Sequence, residues 1–337
     1  MESTKENLRK NKSTKEKVMD VLYLNKGKAV SGEEISEILG ISRASVWKHI
    51  NSLKKEGYII ESKSGSGYTL IGKTGEGLTS YDIKKNLDTA FIGQNVEYFE
   101  TIDSTNSYAG NIAEKSPEGT VVVSQEQTKG RGRTGRKWIS KEGEGIYFSV
   151  ILKPEIPVVK ASFLTQVAGC AIVETLVNMG IDALIKWPND IILNGKKIAG
   201  ILTEMRAEID CISHIIVGIG INISGREFDE EIRKKATSIE KEGYKLDRCE
   251  FLQMFFTNFE KRYIEFINGE SQGVLEILRE KSAVIGKEIY LVNGSEREKA
   301  EALDIDENGN LKVKTESGEE KTVFTGEISV RGRDSYI

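Results

Sequence analysis

The sequence predicts an α+β protein made of three modules in a row. Three observations carry that expectation. Residues 1–75 hold three capped helical segments followed by two short strands, residues 76–285 mix buried strands with helices, and residues 286–337 read as short strands separated by turns. A chain of 337 residues has room for two or three separate cores.

The first module is legible from its caps. Ser13-Thr14-Lys15-Glu16 has the spacing of a capping box ahead of Val18, Val21 and Leu22. Ser31 opens a second helix through Ile35, Ile38 and Leu39, which Gly40 ends. Ser42 opens a third, with Val46, Ile50 and Leu53 on one face. The short Gly40-Ile41-Ser42 connection makes residues 31–50 a helix-turn-helix. Away from its apolar stripe the third helix presents Arg43, Ser45, Trp47, Lys48 and Asn51, side-chain types that reach phosphates and base edges. Tyr58–Glu61 and Tyr68–Ile71 read as a hairpin around Lys63-Ser64-Gly65-Ser66-Gly67, which supplies a wing. Ser42, Arg43, Ser45, Trp47, Lys48 and Asn51 are the candidate DNA contacts. Charge agrees: residues 1–75 carry 14 Lys and Arg against 9 Asp and Glu, a net +5, whereas the remainder carries 34 against 43, a net −9. Gly72–Gly77, rich in glycine and without apolar pattern, reads as a linker.

In the centre, Lys129-Gly-Arg-Gly-Arg-Thr-Gly-Arg-Lys137 holds five cations and three glycines and is followed at once by Trp138. Such a run cannot be a core element. Alone it fits a solvated turn, a flexible nucleic-acid-binding tract or an anion-binding loop. Its position between the apolar strands Val121–Val123 and Ile146–Val150 favours the loop. Upstream, Ser104-Thr105-Asn106 by themselves do no more than cap a helix running to Ala113. Ala161–Met179 is a long apolar helix. Lys186 stands in the otherwise apolar strand Ala183–Ile185, just before Pro188, and calls for an anionic partner. Asn194-Gly195 is a hairpin turn. The strand Ile215–Asn222 contains Gly218 and Gly220, which let something approach its backbone closely; no GxGxxG opens a helix there. Asp247–Ile267 is an aromatic-rich core helix. Beyond residue 286, five short strands are punctuated by Asn293-Gly294, Asn308-Gly309 and Ser317-Gly318 and predict a small β-barrel.

Composition excludes several classes. Two histidines, His49 and His214, leave little material for a histidine metal site or triad. The cysteines Cys170, Cys211 and Cys249 lie far apart, which suits a reducing compartment. No signal-peptide pattern opens the chain, and no apolar run is read as reaching the ~20 residues of a membrane span. The expectation is a cytoplasmic protein with no membrane partner.

Taken together, Ser104-Thr-Asn106, Gln127 through Arg133 with Arg136-Lys-Trp138, Lys186-Trp-Pro-Asn-Asp190, Lys197 to Leu202, Gly218 to Asn222 and Ala236 to Ile239 resemble the biotin–protein ligases in order and in kind. With the winged helix in front, the resemblance is to their bifunctional, operon-repressing branch. It covers the chain beyond roughly the first dozen residues. Any one motif is weak; six in register are specific. The resemblance implies a class II synthetase-like catalytic domain at 76–285 and an SH3-like barrel at 286–337. It implies ATP and Mg²⁺ as cofactors, biotin as substrate and biotin carboxyl carrier protein as acceptor. It also implies biotin operator DNA as a partner and a homodimer when the adenylate is bound.

By matching positions, the resemblance puts Ser104, Thr105, Asn106 and Gln127 on biotin, with Arg131, Gly132 and Arg133 on biotin or its adenylate. Lys186 bridges the biotin carboxylate and the α-phosphate, so Lys186 and Arg133 are the catalytic candidates. Arg136, Trp138, Lys197 and Asn222 are assigned to the nucleotide, and Asp190 to Mg²⁺ or the acceptor lysine. The loop departs from the family pattern at Lys129 and Thr134. Two other readings compete: a biotin-sensing repressor without ligase activity, which has no need of Lys186 and the full Arg/Gly loop, and a lipoate–protein ligase, which lacks that loop and the winged helix.

Overall fold

The computed structural model describes residues 13–63, 65–73, 78–85, 87–208, 211–225, 233–293, 296–324 and 329–331. Residues 1–12, the 74–77 part of the expected linker, Ser64 of the wing turn and Gly294 lie outside them. The chain divides into two compact units, one up to Asp82 and one from Ile83 onward.

In the first unit the three helices are α1 (Thr14–Leu24), α2 (Gly32–Leu39) and α3 (Arg43–Lys55), each capped by the serine expected. Ser13 and Glu16 form the reciprocal box, Glu16 Oε2 accepting from Ser13 N at 2.7 Å. Gly40 takes φ +65°, which ends α2 in the left-handed conformation glycine favours. Val18, Leu22, Ile35, Val46, Ile50 and Leu53 form the core. The wing pairs β1 (Tyr58–Lys63) with β2 (Gly67–Lys73). The unit runs past the expected linker because residues 79–82 pack back on it. Tyr58 Oη meets Thr79 Oγ1, and Tyr81 Oη donates to Asp20 at 2.7 Å.

The second unit is built on a seven-stranded sheet: β3 (Val96–Ile102), β4 (Val121–Gln127), β5 (Gly145–Leu152), β6 (Leu184–Lys186), β7 (Asp190–Leu193), β8 (Lys196–Ala207) and β9 (Ile212–Asn222). Its order is β3-β4-β5-β9-β8-β7-β6, parallel only at β3/β4. Helix α4 (Thr105–Ile112) covers one face through Ala109, against Val122, Ile151 and Ile216. Helices α5 (Leu164–Asn178) and α6 (Arg248–Ile267) belong to the other. Gly169 of α5 lies over Ile185, Ile191 and Ile201, and Phe148 meets the Phe255 and Phe256 rings of α6 at 5.2 and 5.7 Å. Helix α7 (Gln272–Glu280) leads to five strands, β10 (Glu288–Asn293), β11 (Glu296–Ile305), β12 (Leu311–Thr315), β13 (Glu320–Val323) and β14 (Ser329–Arg331). These make an antiparallel sheet in the order β13-β12-β11-β10-β14.

One expectation is corrected. The run Val158–Asn178, with mean hydropathy 1.2 over its most apolar stretch, is long and apolar enough to cross a membrane. That stretch is 72% buried inside the protein, because it includes α5 and packs on the central sheet, so its apolarity is that of a core helix.

Glu260 of α6 anchors the start of the second unit. Its buried carboxylate accepts the backbone N–H groups of Ala90, Phe91 and Ile92 at 2.6, 2.9 and 2.8 Å. Glu260→Ala orphans three donors at once. Equilibrium denaturation is expected to show a loss of about 2–4 kcal/mol, with Glu260→Gln intermediate.

Candidate functional site

The site is a consequence of strand register. Residues paired across neighbouring strands share a face. Ser124, Tyr147, Gly220, Gly200, Asp190 and Lys186 pair in sequence across β4, β5, β9, β8, β7 and β6, and so form one row on the face that α4 covers. Two residues along, Val122, Ser149, Gly218 and Leu202 form the next row. Each row has glycine near its middle, and each glycine is filled from above. A Cβ on Gly218 would lie 1.8 Å from Asn106 Oδ1, and one on Gly220 would lie 2.3 Å from Trp138 Nε1. The close approach expected at these glycines is therefore made by two of the protein's own side chains.

Around the Gly218 row, polar groups interlock. Ser149 Oγ donates to Asn106 Oδ1 at 2.6 Å and lies 2.8 Å from Thr105 Oγ1. Asn106 Nδ2 donates to Glu204 Oε2 at 2.8 Å and to the Leu202 carbonyl at 3.2 Å. Gln127 Oε1 accepts from Thr105 N and Oγ1 at 2.8 and 3.1 Å, while its Nε2 donates to Ser140 Oγ at 2.9 Å. Ser104 is the helix cap, accepting from Ser107 N at 3.4 Å. Of the three residues expected to cap, only Ser104 does so; Thr105 and Asn106 join the network instead.

Along the Gly220 row the contacts come from the Arg/Gly loop, which contains a short 3₁₀ turn at Arg133–Gly135. Arg131 pairs with Glu204 and donates to Ser107 Oγ at 3.3 Å. Arg133 donates to Asn189 Oδ1 at 2.8 Å. Burial holds the Arg133 guanidinium below its ordinary pKa, with nearby Arg136 acting in the same direction and Asp190 against it. An incoming anion relieves that strain on the cation. The Trp138 ring lies under Lys197 Nζ, 5.2 Å from its centroid, and its buried Nε1 has no hydrogen-bond partner. Lys197 also pairs with Asp190 at 2.5 Å.

One cavity collects Ser104, Thr105, Asn106, Gln127, Arg131, Gly132, Arg133, Trp138 and Lys197, nine of the residues expected from the sequence. Four others are not on its wall. Lys186, 2% exposed, and Asp190 continue the Gly200–Gly220 row at the sheet edge. Arg136 is exposed on the loop, and Asn222 donates to the Thr237 carbonyl at 3.1 Å. The cavity leaves only about 50 Å³ open to water. Small-molecule sites commonly hold about 300 Å³ or more. Trp138 occupies the space above Gly200 and Gly220.

Sequence reasoning missed Ser149, Asn189, Ile201, Leu202, Ile219 and above all Glu204, which joins Asn106 to Arg131. Strand alternation carried the signal: counting by twos from Gly200 along β8 reaches Leu202 and Glu204 on the same face. Ser149 was likewise a lone polar residue in an apolar strand. In the first unit, Ser42, Arg43, Trp47 and Lys48 are exposed, and Ser45 and Asn51 half-buried, on α3 beside the wing. Among the described residues no group of three or more His, Cys, Asp or Glu converges as a metal site.

Comparison with known proteins agrees with this geometry. Residues 98–222 match the biotin/lipoate A/B protein ligase family, 14–69 an HTH domain and 284–331 the biotin protein ligase C-terminal domain. The bifunctional ligase/repressor BirA of Bacillus spizizenii is 41% identical over 89% of this chain and 94% of its own length. The chain belongs to the bifunctional biotin ligase/repressor family. BirA of Escherichia coli is 30% identical over 93% of this chain and 97% of its own. The solved biotin protein ligase from Aquifex aeolicus in complex with biotin and ATP superposes with a TM-score of 0.61 at 32% identity. It covers 71% of this chain and 99% of that one. As a family member the chain is both a biotin–protein ligase and a helix-turn-helix repressor.

Gly218→Ala tests the glycine floor. Displacing Asn106 is expected to weaken biotin binding roughly tenfold or more, about 1.4 kcal/mol, in a chain that stays folded. Titration calorimetry together with a circular dichroism spectrum reads both.

Proposed function

We propose that this chain condenses biotin with ATP to biotinyl-5′-AMP and then transfers biotin to a lysine of the biotin carboxyl carrier protein of acetyl-CoA carboxylase. The observation that supports this best is the cavity in which nine of the expected ligand residues meet over the glycine rows. In the first step a biotin carboxylate oxygen bonds to the α-phosphorus, and pyrophosphate leaves with the electrons of the broken P–O bond. In the second the acceptor amine attacks the acyl carbon, AMP leaves, and the amine loses a proton. Neither step requires a Ser, Cys or His nucleophile. The obstacle is one anion approaching another, so the site must supply fixed cations.

On this reading Ser104, Thr105, Asn106 and Gln127 hold biotin. Arg131 and Arg133 exchange Glu204 and Asn189 for carboxylate and phosphate. Lys186 bridges the reacting groups at the edge of the Gly220 row. Trp138 moves off its glycines to cover the adenine, with Arg136, Lys197 and Asn222 towards the nucleotide. Mg²⁺, when bound, neutralises phosphate charge. Asp190, itself paired with Lys197, is the residue of this site that would hold it. The winged-helix unit binds operator DNA of biotin-synthesis genes through Ser42, Arg43, Ser45, Trp47, Lys48 and Asn51. Biotinyl-5′-AMP is the corepressor and acts by promoting a homodimer. The three free cysteines and the DNA-binding unit suit the cytoplasm.

Incubating the protein with biotin, MgATP and a carrier domain is expected to add the mass of one biotin to the carrier. Lys186→Ala and Arg133→Gly should each lower biotin-dependent ATP–pyrophosphate exchange by a hundredfold or so, about 3 kcal/mol, without unfolding. Exchange at the unmodified rate in both variants refutes the assignment. In gel-shift titrations, operator affinity should rise, and the complex become dimeric, only when biotin and ATP are both present. Binding indifferent to them rules out the corepressor role.

A further inference from the structure

Lys186 occupies a precarious place. It ends β6, a strand of three residues at the edge of the sheet, paired on one side with β7. Short edge strands are where sheets fray. A lysine that must meet two reacting groups needs firmer support than that. The support comes from the chain beyond α7. Ile185 N donates to the Lys281 carbonyl at 2.7 Å, and Ala283 N donates to the Ile185 carbonyl at 2.8 Å, so residues 281–283 add a short parallel bridge outside β6. On the other side of Lys186, the buried Trp187 Nε1 donates to the Gly309 carbonyl at 2.9 Å. The same carbonyl accepts from Gln166 Nε2 of α5 at 2.6 Å.

Gly309 sits in the β11–β12 turn of the C-terminal sheet, and the turn is built to present that carbonyl. Asp306 Oδ1 accepts from the Asn308 and Asn310 backbones at 2.9 and 2.8 Å. Gly309 has φ +80°, and a Cβ there would lie 1.9 Å from Gln166 Oε1, so the fit admits no other residue without rearrangement.

We propose that the C-terminal sheet and its lead-in position Lys186, by holding Ile185 and Trp187 on either side of it through the Lys281–Ala283 bridge and the Gly309 carbonyl. Strand alternation puts Ile185 on the face opposite Lys186, beside Gly169 of α5. Trp187 reaches the same side, since its Nε1 shares the Gly309 carbonyl with Gln166 of that helix. The clamp therefore acts from behind the reacting face and touches no substrate, which makes Trp187 and Gly309 positioning residues. The proposal rests on the assignment of Lys186 to the reacting centre.

The test uses the full chain. Trp187→Phe removes the indole N–H and keeps an aromatic ring, and Asp306→Ala loosens the turn without touching the catalytic domain. Each is expected to lower kcat of biotin-dependent pyrophosphate exchange about tenfold, with biotin KM within twofold and a thermal midpoint that leaves the protein folded at the assay temperature. In a Lys186→Ala background, assayed at high enzyme concentration, Trp187→Phe should cause no further loss, because there is no lysine left to position. A purely structural role predicts the same tenfold loss in both backgrounds and overturns the proposal. So does a kcat within twofold of the parent in Asp306→Ala, whatever the fate of Trp187→Phe. Exchange at the parent rate in Lys186→Ala overturns the assignment of Lys186 itself, and the clamp falls with it.

Discussion

The site depends on the register of one antiparallel sheet. Because β5, β9, β8, β7 and β6 pair without a slip along the Gly220 row, Tyr147, two glycines, Asp190 and Lys186 come to face the same way. A shift of one residue in any of these strands would turn part of that row into the apolar layer under α5 and α6. The glycines then set the depth. Absent side chains at 218, 220 and 200 open a trough on an otherwise packed face, and Asn106, Trp138 and Lys197 lie in it. Packing on the opposite face, with Phe148 against Phe255 and Phe256, holds the sheet still enough for that alignment to matter.

Charge follows the same plan. Arg131 and Arg133 are not idle in the closed loop; each has a polar counterpart, Glu204 and Asn189. These partners hold the cations over the cavity and, on the proposed function, give way to a ligand's carboxylate or phosphate. Trp138 Nε1 finds no partner in the same arrangement, and a buried donor left unpaired favours departure. The loop is thus closed by one ion pair and one hydrogen bond, contacts that the proposed function would have it give up to its substrates.

Much of this was legible in the chain itself. Serine caps at 13, 31 and 42 and the glycine stops are local signals, and they delimited the winged helix closely. The Arg/Gly loop announced an anion site because that composition fits no core. Ser104-Thr105-Asn106 announced only a cap, and their second role emerged from six motifs read together. Glu204 and Ser149 escaped notice because nothing nearby in sequence marks them; they gain meaning from α4 lying across β5 and β8. The stretch at 158–178 reads in sequence as a long apolar helix short of a membrane span, yet its length and apolarity do reach one. Burial in the protein decides its character, since hydropathy cannot tell a helix sheathed by protein from one sheathed by lipid.

The sequence by itself determined the order of modules, the helix-turn-helix with its polar face, and an Arg/Gly loop suited to anions, while the other ligand-binding candidates came from the family resemblance. The first three depend on local chemistry: caps, turns, periodicity and the few residue types able to bind anions. The tertiary structure alone decided which candidates share a wall, which glycines are occupied, and how far the lid closes. It also decided that residues 281–310 brace the strand carrying Lys186. Contacts between Trp187 and Gly309, or Ile185 and Lys281, join positions about a hundred residues apart. No local pattern encodes such a pairing, because it is chosen by the packing of whole elements.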